Sequence, residues 1–172
     1  GYSKSMNNYG IMLKDGVGIP MNKEEGIRYI EMSANLYNPE GMGNYGDILV
    51  SGNNIKKDKF KGLKFLKKAS KMGDNEAILS LGMQLLNEEE SNKEEAVSYI
   101  KKSADNGNEI AMYQYAMQLM KGEFVEQDQK KAANYLKMSA DIGYSQSMDV
   151  YGLLLLKGCG VAKDINEAIK YF

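Results

Sequence analysis

The chain has 172 residues, of which 43% are hydrophobic and 26% are charged, and its formal net charge is −1. These values are typical of a globular domain and exclude the composition of a disordered chain. The small net charge provides no long-range attraction to nucleic acid or to an anionic membrane. The single cysteine, Cys159, cannot form an internal disulfide, and no apolar run approaches the ~20 residues of a membrane-spanning helix. We therefore expect no membrane span; the sequence leaves the compartment open and favours an intracellular, cytoplasmic one.

Two sets of residues recur along the chain with the same spacing. The first is a Tyr-Gly pair or a close variant of it: Tyr9-Gly10, Tyr45-Gly46, Leu81-Gly82, Tyr115-Ala116 and Tyr151-Gly152. The second is an aromatic residue in the second half of each unit: Tyr29, Phe65, Tyr99, Tyr135 and Tyr171. Because both sets keep the same steps, the sequence predicts one array of five repeats. Their bounds are residues 3–38, 39–74, 75–108, 109–144 and 145–172, the last repeat being truncated.

The first half of each unit predicts a helix. A small residue lies four positions before the Tyr or Leu, and a leucine lies four positions after it, as in Ser5, Tyr9 and Leu13. This spacing places all three on one helical face. Glycines at the end of most first helices predict left-handed C-caps: Gly16, Gly52, Gly122 and Gly158.

The second half of each unit predicts another helix, which begins at an Asn or Asp that can act as its N-cap. These residues are Asn22, Asp58, Asn92, Asp128 and Asp164. Most second helices should end at a glycine, which is Gly73, Gly107 or Gly143. In the first unit Tyr37 takes the place of that glycine, and we therefore expect the helix there to end differently.

Each unit thus reads as a helix-turn-helix that buries its apolar faces only by stacking on its neighbours. The predicted fold class is all-α, a right-handed α-α superhelix or solenoid. The pattern small-x-x-x-[LY]-G-x-x-L-x-x-G, followed by Asp/Asn-x-x-x-Ala-x-x-Tyr-x-x-x-[AS]-[AS]-x-x-Gly, resembles the Sel1-like repeat over the whole chain. Tetratricopeptide repeats are the second candidate, but they keep a strict 34-residue period. Pentatricopeptide repeats fit poorly, because they need a basic inner face.

The resemblance implies a non-catalytic scaffold or adaptor that binds other proteins. The chain has no histidine, which excludes Ser-His-Asp sites and histidine-containing metal sites. No phosphate-binding loop motif occurs either. We therefore predict no catalytic residue, no metal ligand and no cofactor. Some cysteine-rich relatives are linked to β-lactam binding, but with Cys159 alone that activity is not carried over.

The predicted partner is a peptide or helix of another protein, bound on the concave face formed by first helices. The placing of first helices on that face follows the analogy with tetratricopeptide arrays. The residues on it become apolar toward the C-terminal repeats, where methionines can adapt to a partner. The predicted binding residues are Leu79, Met83, Leu86, Ile110, Tyr113, Met117, Met120, Asp149, Leu153 and Leu156. The alternative is that tight winding buries these residues against adjacent repeats.

Two further hypotheses concern other parts of the chain. A lysine-rich stretch, Lys56–Lys71, could bind nucleic acid or an anionic lipid, although a solvated convex face also explains it. Neither end carries a polar capping face, so we expect a piece of a longer array that can associate end to end. An enzyme is the last alternative, since no site for one is visible.

Overall fold

The computed structural model describes residues 1–172 and contains ten α-helices and no β-strand. The first helices of the repeats are α1, α3, α5, α7 and α9, and the second helices are α2, α4, α6, α8 and α10. Their bounds are Tyr2–Asp15, Lys23–Asn35, Pro39–Ser51, Lys59–Lys71, Asn75–Leu86, Lys93–Asp105, Glu109–Lys121, Gln129–Ile142, Ser145–Lys157 and Ile165–Ile169. None of these helices combines the length and the apolar character that crossing a bilayer requires.

The predicted helix boundaries are confirmed by the cap geometry. Each predicted N-cap side chain accepts a hydrogen bond from the backbone N–H three residues further on, as Asp58 does from Lys61 at 2.9 Å. Four first helices end at a glycine with positive φ, between 68° and 76°. Only glycine adopts this conformation without steric cost, which explains why it recurs there.

The prediction that the first unit ends its second helix differently is wrong. Tyr37 adopts a φ of 57°, the same left-handed region that Gly73, Gly107 and Gly143 occupy. The helix α2 ends at Asn35, which corresponds to the last residue of α4 and of α6. Asn38 then caps α3 by accepting from the Gly41 N–H at 2.7 Å, and Pro39 supplies the first residue of that helix. The cap of α3 thus fixes the backbone at this point. Tyr37 keeps a left-handed conformation that is strained for a residue other than glycine.

Small residues allow the two helices of a repeat to approach each other closely. A methyl group added to Gly10 would lie 2.7 Å from the Gly26 carbonyl oxygen, and one added to Gly26 would lie 2.6 Å from that of Gly10. Both distances are shorter than van der Waals contact, so the backbones of α1 and α2 touch at this point. This contact explains glycine in helix interiors, where it costs about 1 kcal/mol relative to alanine.

The two aromatic sets meet inside the repeats. The rings of Tyr9 and Tyr29 pack edge to face with centroids 4.9 Å apart, and those of Tyr45 and Phe65 are 5.3 Å apart. The pairs Tyr115–Tyr135 and Tyr151–Tyr171 repeat this geometry at 5.1 Å and 4.9 Å. Each such pair contributes about 0.5–1.5 kcal/mol beyond its buried area. The two sets keep a constant spacing because each pair makes the same packing contact within its repeat.

The chain forms two compact units, residues 1–81 and residues 82–172. Unit 1 contains α1 to α4 and the beginning of α5, and its core includes the fully buried Ile30, Leu66 and Ile78. Unit 2 contains the remainder of α5 and α6 to α10, with Ile100 and Leu136 fully buried.

Buried serines join the two helices of a repeat and also contact the next repeat within each unit. In unit 1 the Ser33 hydroxyl donates to the Ser3 carbonyl oxygen at 2.7 Å, and a methyl group on Gly41 would collide with that hydroxyl. In unit 2 Ser139 donates to the Glu109 carbonyl oxygen at 2.8 Å and accepts from Ser147 at 2.7 Å. The small pairs of the sequence pattern thus supply buried hydrogen bonds together with close packing.

Candidate functional site

The first-helix face of unit 1 is polar and its side chains are paired with one another. Lys4 forms an ion pair with Glu40 at 2.9 Å. The Asn44 amide donates to the side-chain oxygen of the buried Asn7 at 3.0 Å. Since these groups already have partners, this part of the face offers few free groups to a ligand.

Asp47 belongs to the same polar face and is largely shielded from solvent. It accepts a hydrogen bond from the Ser80 hydroxyl at 3.0 Å. Burial raises the pKa of the Asp47 carboxyl to about 6 from 3.8, and the nearby Asp74 and Glu76 carboxylates add to the rise against the opposing Ser80 bond. The pKa of Asp74 is also raised, mainly by burial. The sequence pattern carries no signal of the changed ionisation of Asp47.

The helix α7 of unit 2 presents an apolar face to solvent. Ile110 is 37% exposed, and Tyr113, Met117 and Met120 are half-buried. Their spacing of three, four and three residues places them on one side of the helix. The Tyr113 ring packs edge to face on Tyr144, the residue that precedes α9, with centroids 5.7 Å apart.

The helix α9 continues the series of predicted residues in unit 2. Leu153 is 45% exposed, Leu156 is half-buried and Asp149 is exposed. The leucines on the opposite side, Leu154 and Leu155, are 7% and 5% exposed and belong to the core. Two leucines of α9 therefore pack in the core, and the other two lie at the surface.

The predicted residues of α5 fall in both units. Leu79 is 7% exposed and packs in the core of unit 1. Met83 and Leu86, which belong to unit 2, are half-buried. Of the ten predicted residues, Leu79 is thus the one that the fold places in a hydrophobic core.

The lysines of residues 56–71 are solvated. All eight lysine side chains from Lys56 to Lys71 are exposed. Lys61 lies 3.9 Å from Glu31, and the Lys68 amino group lies over the Tyr37 ring, 5.6 Å from its centroid. In unit 2 the helices α6 and α8 instead pair a lysine with an aspartate four residues on, as in Lys137–Asp141 at 2.6 Å.

Sequence reasoning missed one concave feature of unit 1. A groove lies between α2 and the loop that leads into α4, and it is lined in part by Arg28, Lys56 and Lys57. The signal was present in the repeat alignment, where Lys56-Lys57 stands opposite Glu126-Gln127 of the fourth repeat.

The one thiol and the acidic side chains do not form a metal-binding group. Cys159 is a free, half-buried thiol in the loop after α9. No group of three or more His, Cys, Asp or Glu side chains has the geometry to hold a metal ion. The surface features described above are a polar face in unit 1, an apolar face in unit 2 and exposed lysines.

Helical hairpins of one design, stacked through glycine, serine and paired aromatic residues, define the class of α-helical repeat proteins. The chain belongs to the Sel1 repeat family, whose sequence model matches residues 3–38, 39–74, 76–108, 110–144 and 145–172. Proteins with this fold generally serve as protein-interaction scaffolds. No curated protein matches the chain in sequence.

Solved structures share the fold at low sequence identity. A Sel1 repeat protein from Oxalobacter formigenes superposes with a TM-score of 0.88 at 23% identity, over 98% of this chain and 70% of that one. The protective antigen c5321 of uropathogenic Escherichia coli gives 0.84 at 21% identity, over 99% of this chain and 37% of that one. Immunity protein Pa5087 of Pseudomonas aeruginosa gives 0.66 at 21% identity, over 98% and 61%. The predicted fold class, an all-α solenoid of Sel1-like repeats, is confirmed.

Proposed function

We propose that this protein is a non-catalytic scaffold that binds a peptide or helix of a partner protein on the first-helix face of unit 2. The proposed contact residues are Met83, Leu86, Ile110, Tyr113, Met117, Met120, Asp149, Leu153 and Leu156. Leu79 is left out of this set because it is buried in unit 1. The coarser role, binding of other proteins, is general in the family.

The observation that carries the proposal is the exposure of large apolar side chains on α7 and α9. Ile110 and Leu153 leave 37% and 45% of their surface in solvent although other positions on the same helices are fully packed. Contiguous exposed apolar surface usually marks an interaction site, and methionine adapts its shape to different partners. A partner helix that covers these side chains would remove about 25 cal/mol of unfavourable hydration for each Å² buried.

The test compares two double variants by affinity capture from a native lysate. Ile110→Asp with Leu153→Asp places two charges on the proposed face, whereas Met138→Asp with Ile142→Asp places two charges on α8. The four side chains have similar exposure, from 37% to 58%, so both variants should fold. We expect the first variant to lose the proteins that wild type captures and the second to keep them. Equal recovery by all three forms would overturn the proposal.

Self-association is a further part of the proposal. Exposed apolar side chains on α1 and α10, such as Tyr2 at 75% and Ile169 at 65%, support it. Light scattering at increasing concentration should show species larger than the monomer, and their weight should fall when Ile169→Glu replaces the isoleucine. A mass that stays monomeric across the whole concentration range would refute this part.

A further inference from the structure

The groove of unit 1 has an apolar floor and charged walls. It encloses about 750 Å³ between α2 and the loop that leads into α4. Ile27, Tyr45, Leu49 and Ile55 contribute its apolar surface. The volume is enough for several side chains of a peptide, and the groove is separate from the first-helix face of unit 2.

Two of the acidic groups in the walls are engaged by the protein itself. The buried Tyr45 hydroxyl donates to the Glu31 carboxylate at 2.6 Å, and the Lys61 amino group lies 3.9 Å from the same carboxylate. Asp58 is occupied as the N-cap of α4. Burial and the Glu31 contact raise the pKa of Tyr45, which therefore remains a hydrogen-bond donor.

Basic groups in the walls remain available to a ligand. Lys56 and Lys57 are exposed, and the ion pairs of the structure involve neither of them. Arg28 extends the same basic wall from α2. Five basic and three acidic side chains line the groove, so its net charge is positive.

The fourth repeat provides an internal comparison. Its equivalent groove is smaller, about 290 Å³, and is lined by Tyr115, Leu119, Val125, Glu126, Gln127, Asp128 and Lys131. The positions of Lys56 and Lys57 are taken there by Glu126 and Gln127. The hairpin geometry thus produces a groove in both repeats, and the loop residues that differ between the two repeats change its charge.

We infer that the groove of unit 1 binds an acidic, extended segment of a partner protein. Carboxylates of the segment pair with Lys56 and Lys57, and its apolar side chains lie on the floor formed by Ile27, Tyr45 and Leu49. A uniform polyanion fits less well, because Glu24, Glu31 and Asp58 line the same walls and the chain has a net charge of −1. This surface is additional to the proposed face of unit 2, so an experiment can refute one proposal without affecting the other.

The test uses a fluorescein-labelled peptide of Glu-Glu-Leu repeated four times and a matched peptide of Gln-Gln-Leu. Each is titrated against the full chain by fluorescence anisotropy at about 0.15 M salt, where exposed charges more than a Debye length apart are screened. We expect the acidic peptide to bind at least about ten-fold more tightly than the neutral one. Lys56→Glu with Lys57→Gln, which installs the residues of the fourth repeat, should weaken it about ten-fold.

The control variant makes the same charge change outside the groove, on α4. Lys67→Glu with Lys71→Gln should alter acidic-peptide binding by no more than about three-fold, because these lysines do not line the groove. Amide chemical-shift changes in wild type should include Arg28, Lys56 and Lys57, which gives a readout that needs no variant. Unchanged binding in the groove variant, equal loss in the control, or shift changes confined to other residues would overturn the inference. So would groove-dependent binding of single-stranded DNA, or of vesicles with equal parts phosphatidylserine and phosphatidylcholine, without binding of the acidic peptide.

Discussion

Asp47 carries a largely buried carboxyl group whose pKa the fold raises to about 6 from 3.8. Between pH 3.8 and about pH 6 the Asp47 carboxyl is therefore protonated in the folded protein but ionised in the unfolded chain. The stability that the neutral group contributes is therefore complete below about pH 4 and is lost as the pH rises through about 6. At neutral pH the fold contains a charged carboxylate that is poorly solvated.

Replacement of Asp47 by asparagine should therefore stabilise the protein at neutral pH but not in acid. Asparagine keeps an acceptor for the Ser80 hydroxyl and carries no charge. We expect little difference from wild type at pH 4 and a gain of about 1–3 kcal/mol in the free energy of unfolding at pH 7. Urea unfolding across this pH range measures the difference. The exposed Asp149→Asn variant should follow the wild-type curve, and a pH-independent difference for Asp47→Asn would contradict the account.

Gln118 is a second residue whose buried polar group lowers the stability of the fold. It is 7% exposed in the core of unit 2, and its side-chain oxygen has no hydrogen-bond partner. The equivalent positions of the second and fifth repeats are Ile48 and Leu154, which are both buried apolar residues. Since an unpaired buried oxygen costs about 1–3 kcal/mol, we expect Gln118→Leu to raise the free energy of unfolding by about 1 kcal/mol.

Chemical denaturation of two leucine variants tests this expectation. Gln114 lies on the same helix but is half-exposed, so Gln114→Leu should change stability by less than about 0.5 kcal/mol. A loss of stability in Gln118→Leu would mean that the amide makes a contribution that its burial does not reveal.

At the scale of the helices, the close contact between α1 and α2 depends on the absence of a side chain at Gly26. An added methyl group would lie 2.6 Å from the Gly10 carbonyl oxygen and from the Lys14 amide nitrogen. The fourth repeat has alanine at both equivalent positions, Ala116 and Ala132. Each hairpin is thus adjusted to its own pair of small residues.

We predict that Gly26→Ala destabilises the protein by about 2 kcal/mol. Alanine has the better helix propensity by about 1 kcal/mol, but overpacking of a backbone contact costs more than this gain. Thermal unfolding monitored by circular dichroism measures the result, with Arg28→Ala on the exposed side of α2 as the control. A stabilised Gly26→Ala protein would show that α1 and α2 can separate freely.

The helices themselves could be predicted from sequence because their signals are local. The N-caps such as Asp58, the left-handed glycines such as Gly16 and the two aromatic sets each act within one hairpin. Tyr37 escaped this reasoning, because its conformation is fixed by the cap of the following helix and not by its own preference. Local sequence signals thus predict a helix correctly, except where a neighbouring helix fixes the backbone conformation.

At the scale of the whole molecule, surface properties were harder to predict than fold. The sequence prediction places Leu79 and Leu153 on the same concave face, yet one is 7% exposed and the other 45%. The pKa of Asp47 and the charge of the groove beside Lys56 depend on side chains from several helices. A single repeat does not contain that information, because it arises only when particular repeats are stacked.

The proposed function depends on binding of a partner protein to the exposed apolar face of α7 and α9. The most direct measurement is calorimetric titration of a captured partner into wild type, into Ile110→Asp with Leu153→Asp, and into Met138→Asp with Ile142→Asp. We predict that the first variant binds about 100-fold more weakly, because two carboxylates would lose their hydration in an apolar interface. The second should bind as wild type does. Equal affinity for all three proteins would contradict the claim and move the binding surface away from α7 and α9.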